Sequence, residues 1–166
     1  MELCRLSTLY TVRKLNDNDI EALYNLCKEN TIFYRYHPPI VTKESIFKDM
    51  KALPPNKSYD DKFFLGFFTN DRLIALMDVI RDYPYESVIF IGLFMIDATL
   101  QGKGVGTEII RECCLYWKSL KYQKVRIGVD KYNPQSNAFW RKNKFMVTGE
   151  ENSIYGNDVY LMERTL

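Results

Sequence analysis

The sequence feature that most constrains the fold is an apolar strand that leads through a glycine-rich turn into a helix. Residues 88–96 are almost wholly apolar, which is typical of a strand at the centre of a sheet, covered on both faces. After a short loop comes the turn Gln101-Gly102-Lys103-Gly104-Val105-Gly106-Thr107, and apolar residues then recur at helical spacing as far as Leu120. This order predicts a sheet with helices packed on it.

The glycine-rich turn is suited to hold a diphosphate. Glycines let the backbone approach an anion closely, and a helix N-terminus directs free N–H groups and the positive end of its dipole toward it. Lys103 adds a movable positive charge. The spacing is not that of a Walker loop, and Thr107 occupies the third glycine position of a dinucleotide fingerprint. Asp130 stands about where a ribose-binding acid would lie, so a nucleotide-binding protein remains an alternative, as does a turn without a ligand.

The remaining pattern predicts an α+β fold: a central, mostly antiparallel mixed sheet with helices on both faces, in one domain over residues 1–166. Strands are expected at 10–14, 63–68, 73–81, 88–96, 124–129, 144–148 and 158–163. Helices are expected from Asn16 to about Asn30, from Thr42 to before Pro54, and over 105–120 and 134–143, with a loop at 33–39.

Composition narrows the classes of partner. The net charge of +2 argues against nucleic acid or an anionic membrane as a partner. The cysteines Cys4, Cys27, Cys113 and Cys114 form no CxxC pair and His37 is the only histidine, so we expect no metal site. No apolar run has the length of a membrane span and the N-terminus lacks a signal-peptide core, which predicts a cytoplasmic protein.

Two motifs, in the right order and spacing, resemble those of the GNAT acyltransferases. The first is the strand that ends in Phe94-Met95-Ile96, followed by a short loop and by Gln101-x-x-Gly104-x-Gly106 at the start of a helix. The second follows the next strand and contains Asn133, Ser136 and Trp140, then Asn143-Lys144-Phe145. The resemblance covers roughly residues 88–147, and the predicted order of strands and helices agrees with it along the whole chain.

The resemblance implies an acyl-CoA N-acyltransferase fold with acetyl-CoA as co-substrate and no metal. Its pantetheine arm would lie beside the central strand and bond to the backbone of Phe94, Met95 and Ile96. The diphosphate would be held by the turn, and Asn133 and Trp140 would contact the arm from the other side. The full expected cofactor site is Phe94, Met95, Ile96, Gln101, Gly102, Lys103, Gly104, Val105, Gly106, Thr107, Asn133 and Trp140.

The acid–base positions of the family are altered in this chain. Where the family commonly has a carboxylate on the central strand, the sequence has apolar residues and Gly92, and the next strand has Gly128 at its middle. The position of the tyrosine often proposed to protonate the leaving thiolate is Trp140, whose indole only donates hydrogen bonds.

Asp78 is the candidate catalytic residue. Strand alternation places it on the same side as Ile74, Leu76 and Ile80, which is unusual company for a carboxylate. It could bind the ammonium group of a substrate or accept its proton; a position at a sheet edge or as a backbone cap is the equal alternative. His37 is a weaker candidate.

The expected function is transfer of an acetyl group from acetyl-CoA to a primary amine of a small molecule, by direct attack on the thioester. The alternatives are acetylation of a protein N-terminus or lysine, and a non-catalytic sensor that binds acyl-CoA. A homodimer is left open.

Overall fold

Seven strands form one mixed sheet. The computed structural model describes residues 1–154 and 157–166, with side chains described for 1–150 and 158–166. The strand order is β1-β2-β3-β4-β5-β7-β6, and only β4 and β5 pair in parallel. The strands are β1 Thr11–Lys14, β2 Lys62–Thr69, β3 Arg72–Arg81, β4 Val88–Ile96, β5 Lys124–Asp130, β6 Met146–Ile154 and β7 Asn157–Thr165. The predicted fold class is confirmed.

Helices cover both faces of this sheet. They are α1 Ile20–Lys28, α2 Thr31–Tyr36, α3 Lys43–Lys51, α4 Val105–Ser119 and α5 Pro134–Lys142. The apolar sides of α1 and α3 pack on one face, here called the α1 face, and those of α4 and α5 pack on the other, the α4 face. The α4 helix buries seven residues along one side, which explains why its periodicity was visible in the sequence.

A wedge opens between β4 and β5. Their parallel pairing ends at Ile91 opposite Ile127. Beyond that point β4 continues to Ile96 paired only with β3, while β5 continues to Asp130 paired only with β7. The two strands therefore diverge toward their C-terminal ends, and the gap between them is called the wedge.

Gly92 lies at the vertex of the wedge, one residue past the last β4–β5 pair. The β3–β4 register passes from Asp78 opposite Leu93 to Val79 opposite Ile91, so Gly92 is the extra residue of a β-bulge. It is exposed although β3 and β5 lie on either side of its strand. The bulge and the divergence of β5 together open the sheet at this point.

A second register shift moves Ile74 away from the side expected for it. The β2–β3 ladder shifts between Phe67 and Phe68, and Ile74 packs in the core on the α4 face. The predicted grouping of Ile74 with Asp78 is therefore wrong, because alternation is broken by the shift.

Two other predictions about local structure are wrong in part. Residues 33–36 belong to α2 rather than to a loop, because the segment from Thr31 contains no glycine or proline before Pro38 and can resume helix after the break at Asn30. Strand β6 extends well past residue 148, across a shifted register that includes Gly149 at φ +86°.

Among the described residues, no helix combines the length and the apolar character needed to cross a membrane.

Candidate functional site

A cavity of about 430 Å³ lies along the open part of the wedge. Its walls come from the end of β4, the glycine-rich turn, the first residues of α2 and the α5 helix. Ten of the expected cofactor residues line it: Phe94, Met95, Ile96, Gln101, Gly102, Gly104, Gly106, Thr107, Asn133 and Trp140. Two others, Lys103 and Val105, lie in the same turn outside the lining, and Asp78 is also outside it.

The end of β4 turns backbone groups that no neighbouring strand pairs toward the wedge, and of these the carbonyl of Ile96 accepts from Asn30 Nδ2 at 3.1 Å. The N–H of Asp97 donates to the carbonyl of Ile74 on β3, at 2.9 Å. Because consecutive residues of a strand point their N–H and C=O groups to opposite sides, Met95 faces β3 while Phe94 and Ile96 face the wedge. Strand β5 has already diverged there, so it does not pair with them.

The glycine-rich turn holds a conformation that favours glycine. Gly102 has φ +72° and Gly104 has φ +88°, and a Cβ on either would meet nothing within 4 Å. Glycine is favoured by the backbone angle here, and the space beside the turn is open. Gly104 is the N-cap of α4, so the free N–H groups of the first helical turn lie beside this space.

At Gly106, glycine is needed for close packing and not for its backbone angle. A Cβ there would stand 2.4 Å from Cδ1 of Ile96 and 3.1 Å from the ring of Phe139. The absence of a side chain lets the first turn of α4 approach the end of β4 closely, which brings the helix N-terminus to the wedge.

Aromatic rings form the α5 wall of the cavity. The ring of Trp140 lies 6.0 Å from that of Phe94, 5.0 Å from Phe139 and 4.8 Å from Phe145, measured between centroids. Trp140 is only 4% exposed. Asn133 is buried beside this wall and caps α5 through its Oδ1, which accepts from the N–H of Ser136 at 3.0 Å.

A chain of amides ties the glycine turn to the helices beside it. Gln101 Nε2 donates to Asn30 Oδ1 at 2.6 Å, and Gln101 Oε1 accepts from Gln135 Nε2 at 3.1 Å. Asn30 Nδ2 donates in turn to the carbonyl of Ile96 at 3.1 Å. These bonds fix the α1–α2 junction, the end of β4 and the start of α5 relative to one another.

The α2 helix crosses the mouth of the wedge. Before its first residue, Asn30 bonds to the last residue of β4; after its last residue, His37 Nδ1 lies 3.0 Å from Oδ1 of Asp130, at the end of β5. The hydrogen bond to Asp130 raises the pKa of the His37 imidazole above its usual value. Asp130, the candidate ribose-binding acid of the nucleotide alternative, is thus engaged by His37.

The pair of His37 and Asp130 is expected to make a pH-dependent contribution to the free energy of unfolding. Because the pKa of His37 is raised on folding, its charge should stabilise the fold fully below the unfolded pKa of about 6.5 and progressively less as pH rises through the folded pKa. His37→Asn removes the charge and keeps a donor. We expect the wild type to exceed this variant in unfolding free energy by up to about 1 kcal/mol at pH 5.5 and by less at pH 9. Denaturant titrations at both pH values measure the difference, and a pH-independent difference would contradict the assignment.

Asp78 lies beside the vertex of the wedge, on the α1 face. Its Oδ2 is 2.8 Å from Nζ of Lys62, while its Oδ1 is buried without a hydrogen-bond partner among the described residues. Burial raises the pKa of the Asp78 carboxyl, the ion pair with Lys62 opposes the rise, and Asp49 on α3 adds to it. A carboxyl with a raised pKa in a partly desolvated position has the character of a general base.

No group of three or more His, Cys, Asp or Glu side chains placed to hold a metal ion is found in the described part of the chain.

A comparison with models of protein families identifies the family of this chain. The model of the acetyltransferase (GNAT) family matches residues 20–145, and the chain belongs to this family. It is therefore an acyl-CoA-dependent N-acetyltransferase by class. A search of curated protein sequences gives no match.

Solved structures agree on the fold. RimL, a ribosomal L7/L12 α-N-protein acetyltransferase, superposes with a TM-score of 0.75 at 18% identity, over 99% of this chain and 94% of that one. An acetyltransferase from Thermus thermophilus gives 0.72 at 16% identity, over 95% and 97% of the two chains. The PaiA N-acetyltransferase from Thermoplasma acidophilum, in complex with coenzyme A, gives 0.65 at 20% identity, over 95% and 99%. The mostly antiparallel sheet also differs from the doubly wound parallel sheet that carries the dinucleotide fingerprint.

Several residues of the site were not expected from the sequence. Asn30, Phe139 and Lys142 line the cavity, and Lys62 partners Asp78. Of these residues, only Lys62 could have been singled out from the sequence, because strand alternation places it on the same side of β2 as Phe64, an unusual position for a lysine. The others depend on contacts between distant segments.

Proposed function

We propose that this protein transfers the acetyl group of acetyl-CoA to a primary amine of a small molecule. The observation that carries the proposal is the wedge, which has β4 backbone not paired with β5 and a glycine turn along its open part, and a largely buried carboxylate beside its vertex. Family membership supplies the donor class, and these features support the roles that we assign below to the parts of the wedge.

The residues that line the wedge fit the elongated shape of coenzyme A. The open space beside Gly102 and Gly104, at the N-terminus of α4, suits a diphosphate. Phe94 through its backbone N–H and C=O, and Ile96 through its N–H, offer hydrogen bonds to the amides of a pantetheine arm in the manner of an added strand. Trp140 and Phe139 cover the arm from the α5 side, and Asn133 lines the same wall.

The transfer needs a group that accepts the proton of the amine. Bound acetyl-CoA would supply the thioester: the amine nitrogen forms the new C–N bond, the C–S bond breaks, and coenzyme A leaves as the thiol, with the proton that the nitrogen gives up as the amide forms. Alkylammonium groups have pKa values of about 10, so the amine must lose a proton before it attacks. Asp78 is the carboxylate beside the vertex, and we assign it the role of accepting this proton, directly or through water.

The α2 helix favours a small acceptor. Because it is tied to both sides of the wedge by Asn30 and His37, it narrows the approach from the α1 face. A single amine on a slender chain suits such an approach better than the surface of a folded protein. RimL, whose name records action on a ribosomal protein, shows that the fold also serves protein substrates.

Turnover with a panel of amines tests the proposal. The protein is incubated with acetyl-CoA and with polyamines, amino sugars, amino-acid derivatives, or peptides that carry a free N-terminus or a lysine, and released thiol is measured. We expect at least one small amine to exceed every peptide in kcat/KM by about tenfold or more. Preference for a peptide would contradict the small-molecule acceptor, and binding of acetyl-CoA without turnover across the panel would favour the sensor.

A further inference from the structure

Gly92 stands where a central strand has no evident need of glycine. Its φ is not positive, so its backbone conformation is open to any residue. A Cβ at this position would lie 2.9 Å from Oδ2 of Asp78, closer than real Cβ contacts come. A side chain at residue 92 is therefore disfavoured by the carboxylate of Asp78 and not by the backbone angle.

The two oxygens of Asp78 have different surroundings. Oδ1 is buried and unpartnered among the described residues, so the 15% exposure of this side chain belongs to its other atoms. Oδ2 is the oxygen that adjoins exposed Gly92 and that bonds to Lys62 Nζ. A carboxylate oxygen accepts more than one hydrogen bond, so Oδ2 can hold Lys62 and still receive a second donor from the side of Gly92.

Lys62 is buried deeply for a lysine. Its side chain is only 4% exposed, and its ammonium lies 5.6 Å from the centre of the Phe64 ring. The ion pair joins neighbouring strands: Lys62 is opposite Ile80, and Asp78 is its diagonal neighbour two residues away. A buried ion pair of this kind is costly to form and makes only a weak contribution to stability, which leaves room for a second role.

We propose that the missing side chain of Gly92 leaves a gap on the α1 face, here called the window, through which the acceptor amine reaches Oδ2 of Asp78, and that Lys62 is a positioning residue that holds this carboxylate ionised and turned toward the window. The inference rests on the proposed function, because it takes Asp78 as the proton acceptor. It adds the access route and the residue that sets the protonation state of the base.

The surroundings of Asp78 act on its pKa in opposite directions. Burial raises the pKa of the carboxyl, Lys62 on β2 lowers it by its charge and its hydrogen bond, and Asp49 on α3 adds to the rise. Burial raises the pKa of Asp49 in turn, and Lys62 and His37 oppose that rise; His37 lies at the end of α2, paired with Asp130. Of these groups, Lys62 is the one that bonds to Asp78 directly.

Gly92→Ala tests the window. The added methyl keeps the strand backbone and the N–H of residue 92 but occupies the space beside Oδ2. We expect kcat/KM for the best amine to fall by about 100-fold, within the range of lost base catalysis, with the affinity for coenzyme A unchanged. If the loss acts through Asp78, adding Gly92→Ala to Asp78→Asn should lower kcat/KM further by less than about threefold. Full activity of Gly92→Ala, or additive losses in the double variant, would overturn the window.

Lys62→Met tests the positioning role, with Lys62→Arg as its matched control. Methionine fills the buried space without a charge, so the pKa of Asp78 should rise and the acidic limb of the kcat/KM profile should move to higher pH, with activity recovering above it. Lys62→Arg should leave the limb near its wild-type position. A purely structural lysine would lower activity equally at every pH, and that result would overturn the assignment.

A measurement that needs no turnover separates this inference from the proposed function. The side-chain carboxyl of Asp78 is titrated by carbon NMR in wild type and Lys62→Met, without coenzyme A. The inference requires a higher titration midpoint in the variant, and equal midpoints would overturn it. If the midpoint moves but no amine on the panel is acetylated, the proposed function fails while the link between Lys62 and Asp78 stands.

Discussion

Gly104→Asp is expected to weaken the binding of coenzyme A by at least about 100-fold while the protein remains folded. Two like charges about 4 Å apart near a protein surface repel by about 4 kcal/mol, and each 1.4 kcal/mol is a factor of ten in affinity. The new carboxylate would stand in the open space beside the N-terminus of α4, where we place the diphosphate. Titration calorimetry with coenzyme A measures the change.

Gly104→Asn is the matched control for this variant. Residue 104 has φ +88°, a region that asparagine and aspartate enter more readily than other side chains, so both variants carry a similar backbone cost. Asparagine has nearly the same shape as aspartate without its charge. We therefore expect the asparagine variant to bind coenzyme A far more tightly than the aspartate variant. Equal affinity of the two variants would mean that no anion lies beside Gly104.

Asp78→Asn is expected to lower kcat/KM at pH 7 by about 100-fold or more, because loss of a general base typically costs that much. The affinity for coenzyme A should change little, because Asp78 is not among the residues that line the cavity along the wedge. Steady-state thiol release and calorimetry give the two quantities. Asparagine keeps the shape of the side chain, so a loss confined to turnover points to the missing charge.

Because Asp78 forms an ion pair with Lys62, a second variant is needed to separate loss of catalysis from loss of stability. Removing one charge of a buried ion pair destabilises a protein by about 3 kcal/mol or more, so Asp78→Asn alone risks partial unfolding. Lys62→Gln/Asp78→Asn removes both charges and should restore thermal stability without restoring turnover. Wild-type activity in this double variant would exclude Asp78 from the reaction.

The segment from β4 into α4 could be predicted closely because its signals are local. The strand was expected at 88–96 and is found at those residues, and the helix begins at Val105 as its glycines and periodicity indicated. Both limits are set by neighbours in sequence: glycines at 102 and 104, and an apolar residue at nearly every position of the strand. Most of the expected cofactor residues lie in the same segment, whereas Asn133 and Trp140 belong to the start and body of α5.

The vertex of the wedge could not be predicted, since it depends on where two strands separate. Nothing near Ile127 in the sequence signals that β5 stops pairing with β4 there and continues with β7 alone. The bulge at Gly92 likewise depends on the register with β3. The pairing of Lys62 with Asp78 needed the register of the β2–β3 hairpin, which a turn at residues 70–71 only approximates.

The helix across the wedge was missed for a different reason. Thr31–Tyr36 is six residues long and rich in aromatic residues, which favour helices only weakly. Its position is fixed by Asn30 and His37 at its two ends, through bonds to residues that lie 66 and 93 positions further along the chain. Periodicity within a short window does not report such contacts.

Amide hydrogen exchange with and without coenzyme A tests most directly whether the pantetheine arm lies along β4. The N–H groups of Phe94 and Ile96 face the wedge, whereas that of Met95 faces β3, so these neighbouring amides should respond differently. We predict that coenzyme A slows exchange at Phe94 and Ile96 and leaves Met95 close to its rate in the free protein. Unchanged exchange at Phe94 and Ile96 at every concentration of coenzyme A would contradict the account.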